Sequence, residues 1–358
     1  MERRVLVTGA DTFWGGRMVQ ALESDPDMRV IIGLGTGDPV VPLQRAEFVR
    51  TDQAHTILSR IVRATQVDTV VHTFLVMDST RKRGRGLHEV NVIGTMNLLA
   101  AAGARDSPVR HVVMKSSTVV YGASEKDPNT FGEDSARGRP PGSALETSLI
   151  EAESLVRDFA EDNPSTTVAV LRFANVLGAN VATPISRNLA RRACPAIFGF
   201  DPLLQFVEED DVIRSLHHAT RDRLSGVFNV AGDGVLPWSE VIHQCGSRPL
   251  PLPPWKPALA VAPVLRLGVL DFPPEMESLL RYGRGVDNRR LKGTGFEYDY
   301  TSAGAVASFA RVLNLRRGAG RGPEGYTYEH DVEQFFRRSA AVVPPGGGAA
   351  QSPPEPLP

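Results

Sequence analysis

The chain has 358 residues, longer than one typical domain of roughly 100–200 residues, so it reads as two lobes or one large α/β unit. Hydrophobic residues make up 42% and charged residues 23%, a composition with ample material for a core. Forty Lys and Arg against 41 Asp and Glu leave a net charge of −1, which gives no electrostatic support to a nucleic-acid or membrane-surface role.

In chain order, short β-rich runs alternate with helical periodicity, the pattern of βαβ units and a parallel sheet. Arg3–Thr8 is the first predicted strand, and Gly16–Glu23 begins the first helix. Arg29–Leu34 is the second strand, followed by Gly35 and Gly37; Phe48–Arg50 is a short third strand and Ala54–Ala64 a helix. Thr69–Thr73 is the fourth strand and Leu87–Ala104 a long helix rich in alanine and leucine. His111–Ser116, Ala144–Glu161 and Thr167–Phe173 continue as strand, helix and strand. From about Asn175 the rhythm loosens between proline clusters such as Pro249–Pro257, which suits a smaller substrate lobe over residues 176–315 after a Rossmann core over 1–175. Residues 316–358 are rich in Gly and Pro around a weak helix near Asp331–Arg338, and are expected to be a largely disordered tail.

Cys194 and Cys245 are too few for a disulfide framework and lack zinc spacing, so a reducing, cytoplasmic location is expected. The opening MERRVLVTGA runs straight into a strand and reads as leaving no room for a signal peptide. The apolar stretch Pro257–Leu270 is broken by Pro263 and Arg266 and is too short to span a bilayer.

The first strand leads into Gly9-Ala10-Asp11-Thr12-Phe13-Trp14-Gly15-Gly16 and then a helix. Glycines there permit a tight turn and close approach of a pyrophosphate, which sits on the helix N-terminus where free N–H groups favour anions. With five further βα elements behind it, the chain resembles the extended short-chain dehydrogenase/reductase superfamily, in its NAD-dependent sugar epimerase/dehydratase branch. The resemblance spans roughly residues 3–312 and rests on VLVTGADTFWG (5–15), VDTVVH (67–72), NVIGTMN (91–97), SSTVVYG (116–122), LRFANVLG (171–178), FVEEDDV (206–212) and GVFNVAG (226–232). It implies an α/β fold, a Rossmann-type doubly wound parallel sheet with a smaller C-terminal substrate lobe. It further implies that Thr8, Gly9, Thr12, Phe13, Trp14 and Gly15 line a pyrophosphate of NAD(P) and that Asp52 faces the adenine. His72, Thr73 and Phe74 would line the nicotinamide-ribose side, with Asn91 and Ser116 nearby.

Three positions depart from that pattern. The middle glycine of the turn is Thr12, whose side chain narrows the phosphate space and whose hydroxyl offers a hydrogen bond instead. No carboxylate stands at the end of the second strand near Gly35 to take the adenosine ribose hydroxyls, and Asp38 follows three residues late. NAD(P) is therefore expected to bind weakly or not at all. The third departure is the proton relay. The family uses Tyr and Lys at i and i+4, the ammonium lowering the phenol pKa for proton exchange with substrate. Aligned on Ser148 and Glu153, those positions are Leu145 and Leu149, and no Tyr-x-x-x-Lys occurs anywhere in the chain. Leu145, Leu149, Ala152, Val156 and Phe159 instead form one apolar stripe.

Among other candidates, Ser117 matches the substrate-hydroxyl position of the family or is simply a polar strand end. Tyr121 reads as structural. Arg81–Arg83 with Arg85 form a basic loop that would grip phosphates or remain solvated. Arg172, Asn175, Arg281, Tyr282 and Arg284 fall where the family builds its substrate lobe. Glu146 reads as solvated beside the apolar stripe. His217 and His218 lack metal-ligand spacing, and no metal is expected. The expected function is a non-catalytic protein of this fold that binds a nucleotide or nucleotide-sugar ligand or a partner, as a homodimer, with neither nucleic acid nor membrane as partner. The alternative is an active NAD-dependent nucleotide-sugar epimerase/dehydratase or reductase with an atypical base, His72 or Ser117 with water.

Overall fold

The computed structural model describes residues 3–51, 54–80, 84–255, 257 and 271–318. Asp52, the Arg81–Arg83 run, the stretch 258–270 and the residues beyond 318 lie outside the described residues, and with them the expected adenine contact, basic loop and tail. The chain divides into two compact units, Met1–Ala310 and Arg311–Pro358; of the second, only residues 311–318 are described, as the end of the helix Ser302–Gly318.

The first unit is built on a seven-stranded sheet. Its strands are β1 (Arg3–Thr8), β2 (Met28–Gly35), β3 (Glu47–Arg50), β4 (Thr69–His72), β5 (His111–Ser117), β6 (Thr167–Phe173) and β7 (Gly226–Val230). They lie in the spatial order β7-β6-β5-β4-β1-β2-β3, every neighbouring pair parallel. Strand order reverses between β1 and β4, and the crevice beyond their carboxyl ends is where such sheets bind ligands. The seventh strand, absent from the sequence expectation, is the five-residue run GVFNV, which follows the helix Glu209–Arg221.

Val/Leu/Ile runs form these strands because both faces are buried, each residue alternating between two layers. From β1, Leu6 packs with Leu58, Leu98, Leu149 and Val156 on one side, while Val5 and Val7 pack with Met18, Val19, Val212 and Leu216 on the other. The first layer is covered by α2 (His55–Thr65), α3 (Gly94–Ala102) and α4 (Ala144–Asp162), the second by α1 (Phe13–Glu23) and α5 (Glu209–Arg221). After β6 come short two-stranded pairings, Asn175–Leu177 with Phe206–Glu208 and Ala193–Ile197 with Arg248–Leu252, and helix α6 (Pro274–Tyr282); Gly285–Val286 returns to pair with Thr130–Phe131, which lies before β6.

Two helices differ from the sequence expectation. Helix α1 begins at Phe13 rather than Gly16, because Thr12 caps it: the Thr12 hydroxyl accepts from Gly15 N–H. The helix expected over Leu87–Ala104 is interrupted by a π turn at Glu89–Ile93, between a short helix Arg85–His88 and α3. The wide turn presents Asn91 to Val76, whose N–H donates to Asn91 Oδ1 (2.8 Å) and whose carbonyl accepts from Asn91 Nδ2 (3.0 Å). Among the described residues no helix is long and apolar enough to cross a membrane.

Candidate functional site

The crevice at the β1/β4 switch point is lined first by the glycine-rich turn. Gly9 has φ +74°, and a Cβ there would stand 3.0 Å from the Phe74 Cα. A Cβ on Gly15 would stand 2.0 Å from the Gly9 carbonyl oxygen, so helix and turn meet only because that side chain is absent. The Thr12 hydroxyl donates to Gly9 O (2.7 Å) and accepts from Gly15 N–H (3.3 Å), so it occupies one N-terminal donor that a phosphate oxygen would otherwise reach. Phe13 and Trp14 pack edge to face with centroids 4.8 Å apart.

The tertiary structure brings a carboxylate from elsewhere in the chain to the end of β2, where the sequence has none. Asp11, inside the turn, extends across to the end of β2. Its Oδ2 accepts from Thr36 N–H (2.8 Å), Gly37 N–H (2.8 Å) and Thr36 Oγ1 (3.1 Å). A Cβ on Gly35 would stand 2.5 Å from Asp11 Cγ. The absence of a side chain at Gly35, which in sequence reads as a lost acid, is thus what admits a carboxylate from the turn. Asp38, the sequence substitute, is instead ion-paired with Arg50. Asp11 Oδ1 is buried and has no hydrogen-bond partner among the described residues. An orphaned charged acceptor carries a desolvation cost that a bound hydroxyl group would remove. The residues present therefore fit a dinucleotide whose adenosine ribose keeps its free hydroxyls, and they oppose one bearing a 2′-phosphate.

Deeper in the crevice the side chains are committed to each other. His72 is 1% exposed, with Nδ1 on Thr8 Oγ1 (2.8 Å) and Nε2 on Thr95 Oγ1 (2.9 Å). Burial pushes its pKa down to about 4, so the ring is neutral and both nitrogens are occupied. Thr73 lies just past the end of β4 rather than within it, its hydroxyl donating to Thr8 O (2.7 Å). Asn91 Nδ2 also reaches Ser148 Oγ (3.1 Å), tying the π turn to α4. Ser116 is fully buried and donates to Glu153. Glu153 in turn accepts two bonds from Arg172 Nε (3.0 and 3.1 Å), and Arg172 Nη1 donates to the Tyr121 hydroxyl (2.9 Å). Burial opposes the Arg172 charge, but the Glu153 carboxylate overrides it and raises the guanidinium pKa. The Tyr121 hydroxyl donates to Asn229 Oδ1 (2.8 Å), and its ring stacks on Phe131. Burial raises that phenol's pKa. Tyr121 and Arg172 therefore brace the sheet edge, and neither is free for a ligand.

At the relay positions, Leu145 is 1% exposed and Leu149 fully buried, packed with Ala152, Val156 and Phe159 in the layer under α4. Glu146 is not solvated, as its neighbourhood in sequence suggested: it is 4% exposed and accepts from Arg137 Nη2 and from Gly142 N–H, both at 2.6 Å. Arg137, in the loop nine residues before Glu146, supplies the counter-charge that lets the carboxylate be buried.

Above Leu145 opens a pocket of about 110 Å³ at the carboxyl ends of β5 and β6. Ser117 lies on its rim, its hydroxyl accepting from Val119 N–H (3.3 Å) as the cap of a short 3₁₀ turn. The pocket holds a residue that the sequence reading passed over, Lys115. It is 3% exposed, with Nζ 5.0 Å from the Trp14 ring centroid and 5.5 Å from that of Phe173. Burial pushes its pKa down to about 8. The available signal was a lone cation inside HVVMKSS, a run whose neighbours all read as buried strand. Arg284 and Glu275 line the same pocket, whereas Arg281 is engaged with Pro254 O and Glu277.

Comparison with known proteins places this geometry. The sequence model of the NAD dependent epimerase/dehydratase family matches residues 5–231. An uncharacterized protein of Mycobacterium tuberculosis is 34% identical over 321 residues, covering 87% of this chain and 84% of that one. The UDP-glucose 4-epimerase of Azospirillum brasilense is 28% identical over 221 residues, 58% of this chain and 60% of that one. Among solved structures, a Thermotoga maritima UDP-glucose 4-epimerase with UDP-glucose shares the fold with TM-score 0.66 at 18% identity, over 88% of this chain and 99% of that one. A Bacillus anthracis dTDP-glucose 4,6-dehydratase in complex with NAD does so with TM-score 0.65 at 17% identity, over 88% and 98%. The strand order, the glycine-rich turn at the switch point and the extended sequence match carry one conclusion: this chain belongs to the NAD dependent epimerase/dehydratase family.

Proposed function

We propose that this protein binds NAD(H) and a nucleotide-sugar ligand but lacks the phenol–ammonium relay of its family, and that it acts through binding, as a ligand sensor or as the partner of an active homologue. The observation that carries this reading is the burial of Leu145 and Leu149 at 1% and 0% exposure, side chains that pack in the core and have no proton to exchange with a substrate. Bound nicotinamide would supply a hydride acceptor or donor. The chain's own residues would hold the nucleotide: Asp11 by the adenosine ribose, the Gly9 to Gly15 turn by the pyrophosphate, with Thr12 weakening that grip by using Gly15 N–H itself. His72 does not serve as a replacement base, since both ring nitrogens are hydrogen-bonded, one to Thr8 of β1 and one to Thr95 of α3.

Calorimetric titration with NAD⁺, NADH, NADPH and UDP-glucose tests the reading. NADH is expected to bind more tightly than NADPH, and the nicotinamide absorbance is expected to stay constant when the NAD⁺ form is mixed with UDP-glucose. Turnover of the sugar, or no binding of any nucleotide, overturns it. A homodimer through α3 and α4 belongs to the same reading, supported by Ile93 and Met96 standing exposed beside that pair; a monomeric mass by light scattering removes it.

A further inference from the structure

Two buried cations share the pocket above Leu145, and among the described residues neither is held in an ion pair, although burial outweighs the pull of Glu146, Glu275 and Asp127 on Arg284. Arg284 is 8% exposed, and two of its three guanidinium nitrogens, Nε and Nη1, are buried with no acceptor among the described residues. Lys115 is 3% exposed, and its ammonium faces the rings of Trp14 and Phe173 rather than an oxygen. Both line the pocket together with Ser117, Asn175 and Thr183.

The nearby acids do not balance these charges. Glu275 lines the pocket, but its Oε1 accepts from Ser79 Oγ (2.6 Å) and its buried Oε2 has no partner, so it forms no ion pair with either cation. Burial also raises the Glu275 pKa, which favours its neutral form. Glu146 is paired with Arg137. A buried charge without a partner costs several kcal/mol, and most proteins avoid even one. Two cations around one cavity describe a site complementary to an anion.

We propose that this pocket takes the carboxylate of a sugar-acid group, held between the Arg284 guanidinium and the Lys115 ammonium, so that the ligand is a nucleotide sugar whose sugar is a uronate. The nucleotide part of this assignment rests on the function proposed above; the carboxylate part rests on the two cations alone. The pocket adjoins Ser117 and Leu145, at the ends of the central strands, so its occupant is the part of the ligand that enters deepest. A guanidinium matches a carboxylate through directed N–H donors, and an ammonium adds a point charge from the other side. With a pKa near 8, Lys115 is largely protonated at neutral pH and becomes more so when a carboxylate arrives.

The test compares ligands that differ only in this group. Calorimetry measures UDP-glucuronate against UDP-glucose, and thermal shift measures free glucuronate against glucose. Wild type is expected to prefer the uronate by about tenfold or more in at least one pair. Arg284→Gln and Lys115→Met are each expected to erase that preference and to leave UDP-glucose and NADH binding within about twofold. Both variants remove an unpaired buried charge, so both are expected to fold. A preference seen only with the free sugars supports the carboxylate site and refutes the nucleotide reading. No preference in either pair overturns the proposal. So does an equal loss of affinity for UDP alone in Arg284→Gln, because the cations then serve the diphosphate.

Discussion

Replacing Lys115 by Met is the sharpest test of the electrostatics. The two side chains have similar length, so the exchange keeps the volume between Trp14 and Phe173 and removes the charge. Burial lowers the Lys115 pKa from 10.5 to about 8. That displacement corresponds to about 3 kcal/mol of penalty on the charged form in the native state. Below pH 8 the lysine is protonated in both folded and unfolded chains, so the penalty is fully present. Between pH 8 and 10.5 the native lysine has lost its proton while the unfolded one still binds it, and wild-type stability rises with pH. Above 10.5 both are neutral and the penalty is gone. Lys115→Met never carries it. In urea denaturation of the ligand-free proteins, the variant is expected to be more stable at neutral pH by about 3 kcal/mol, less roughly 1 kcal/mol for the lost cation–π contacts. This margin is expected to shrink by about 3 kcal/mol as pH passes from 8 to 10.5. A stability difference that stays flat across that window refutes the reasoning, whatever its size, because it means that the ammonium is solvated or paired.

Three further outcomes follow from named contacts. Asp11→Ala removes the orphaned acceptor and is expected to weaken NADH by about tenfold or more while leaving NADPH unchanged or improved, read by nicotinamide fluorescence titration. Leu149→Lys places a cation at a fully buried site and is expected to cost about 3 kcal/mol or more in denaturant unfolding, whereas Leu145→Tyr, which opens onto the pocket, is expected to fold. Glu153→Ala strands both the Arg172 guanidinium and the Ser116 hydroxyl and is expected to lose about 3 kcal/mol or more, with Glu153→Gln losing less.

These tests fall on residues that the linear pattern treats unequally. The sheet was readable from the chain because a parallel strand buried on both faces needs a short apolar run, a local property that β1, β2, β4, β5 and β6 all display. The apolar stripe of α4 was equally local: its 4-3-4-3 spacing is the helix repeat itself, and all five positions are buried. The same locality failed at α3, where a π turn inserted for the sake of Asn91 leaves no mark in composition.

By itself, then, the sequence determined the layered α/β architecture, the glycine-rich turn and the loss of the Tyr-x-x-x-Lys pair, since each depends on residues close along the chain. Only the tertiary structure decided where charge sits. Asp11 of the glycine-rich turn fills a space left by Gly35 at the end of β2, Arg137 neutralises Glu146, and Lys115 and Arg284, far apart in the chain, converge on one pocket. Electrostatic energy depends on separation and burial in space, and neither is a function of separation in sequence.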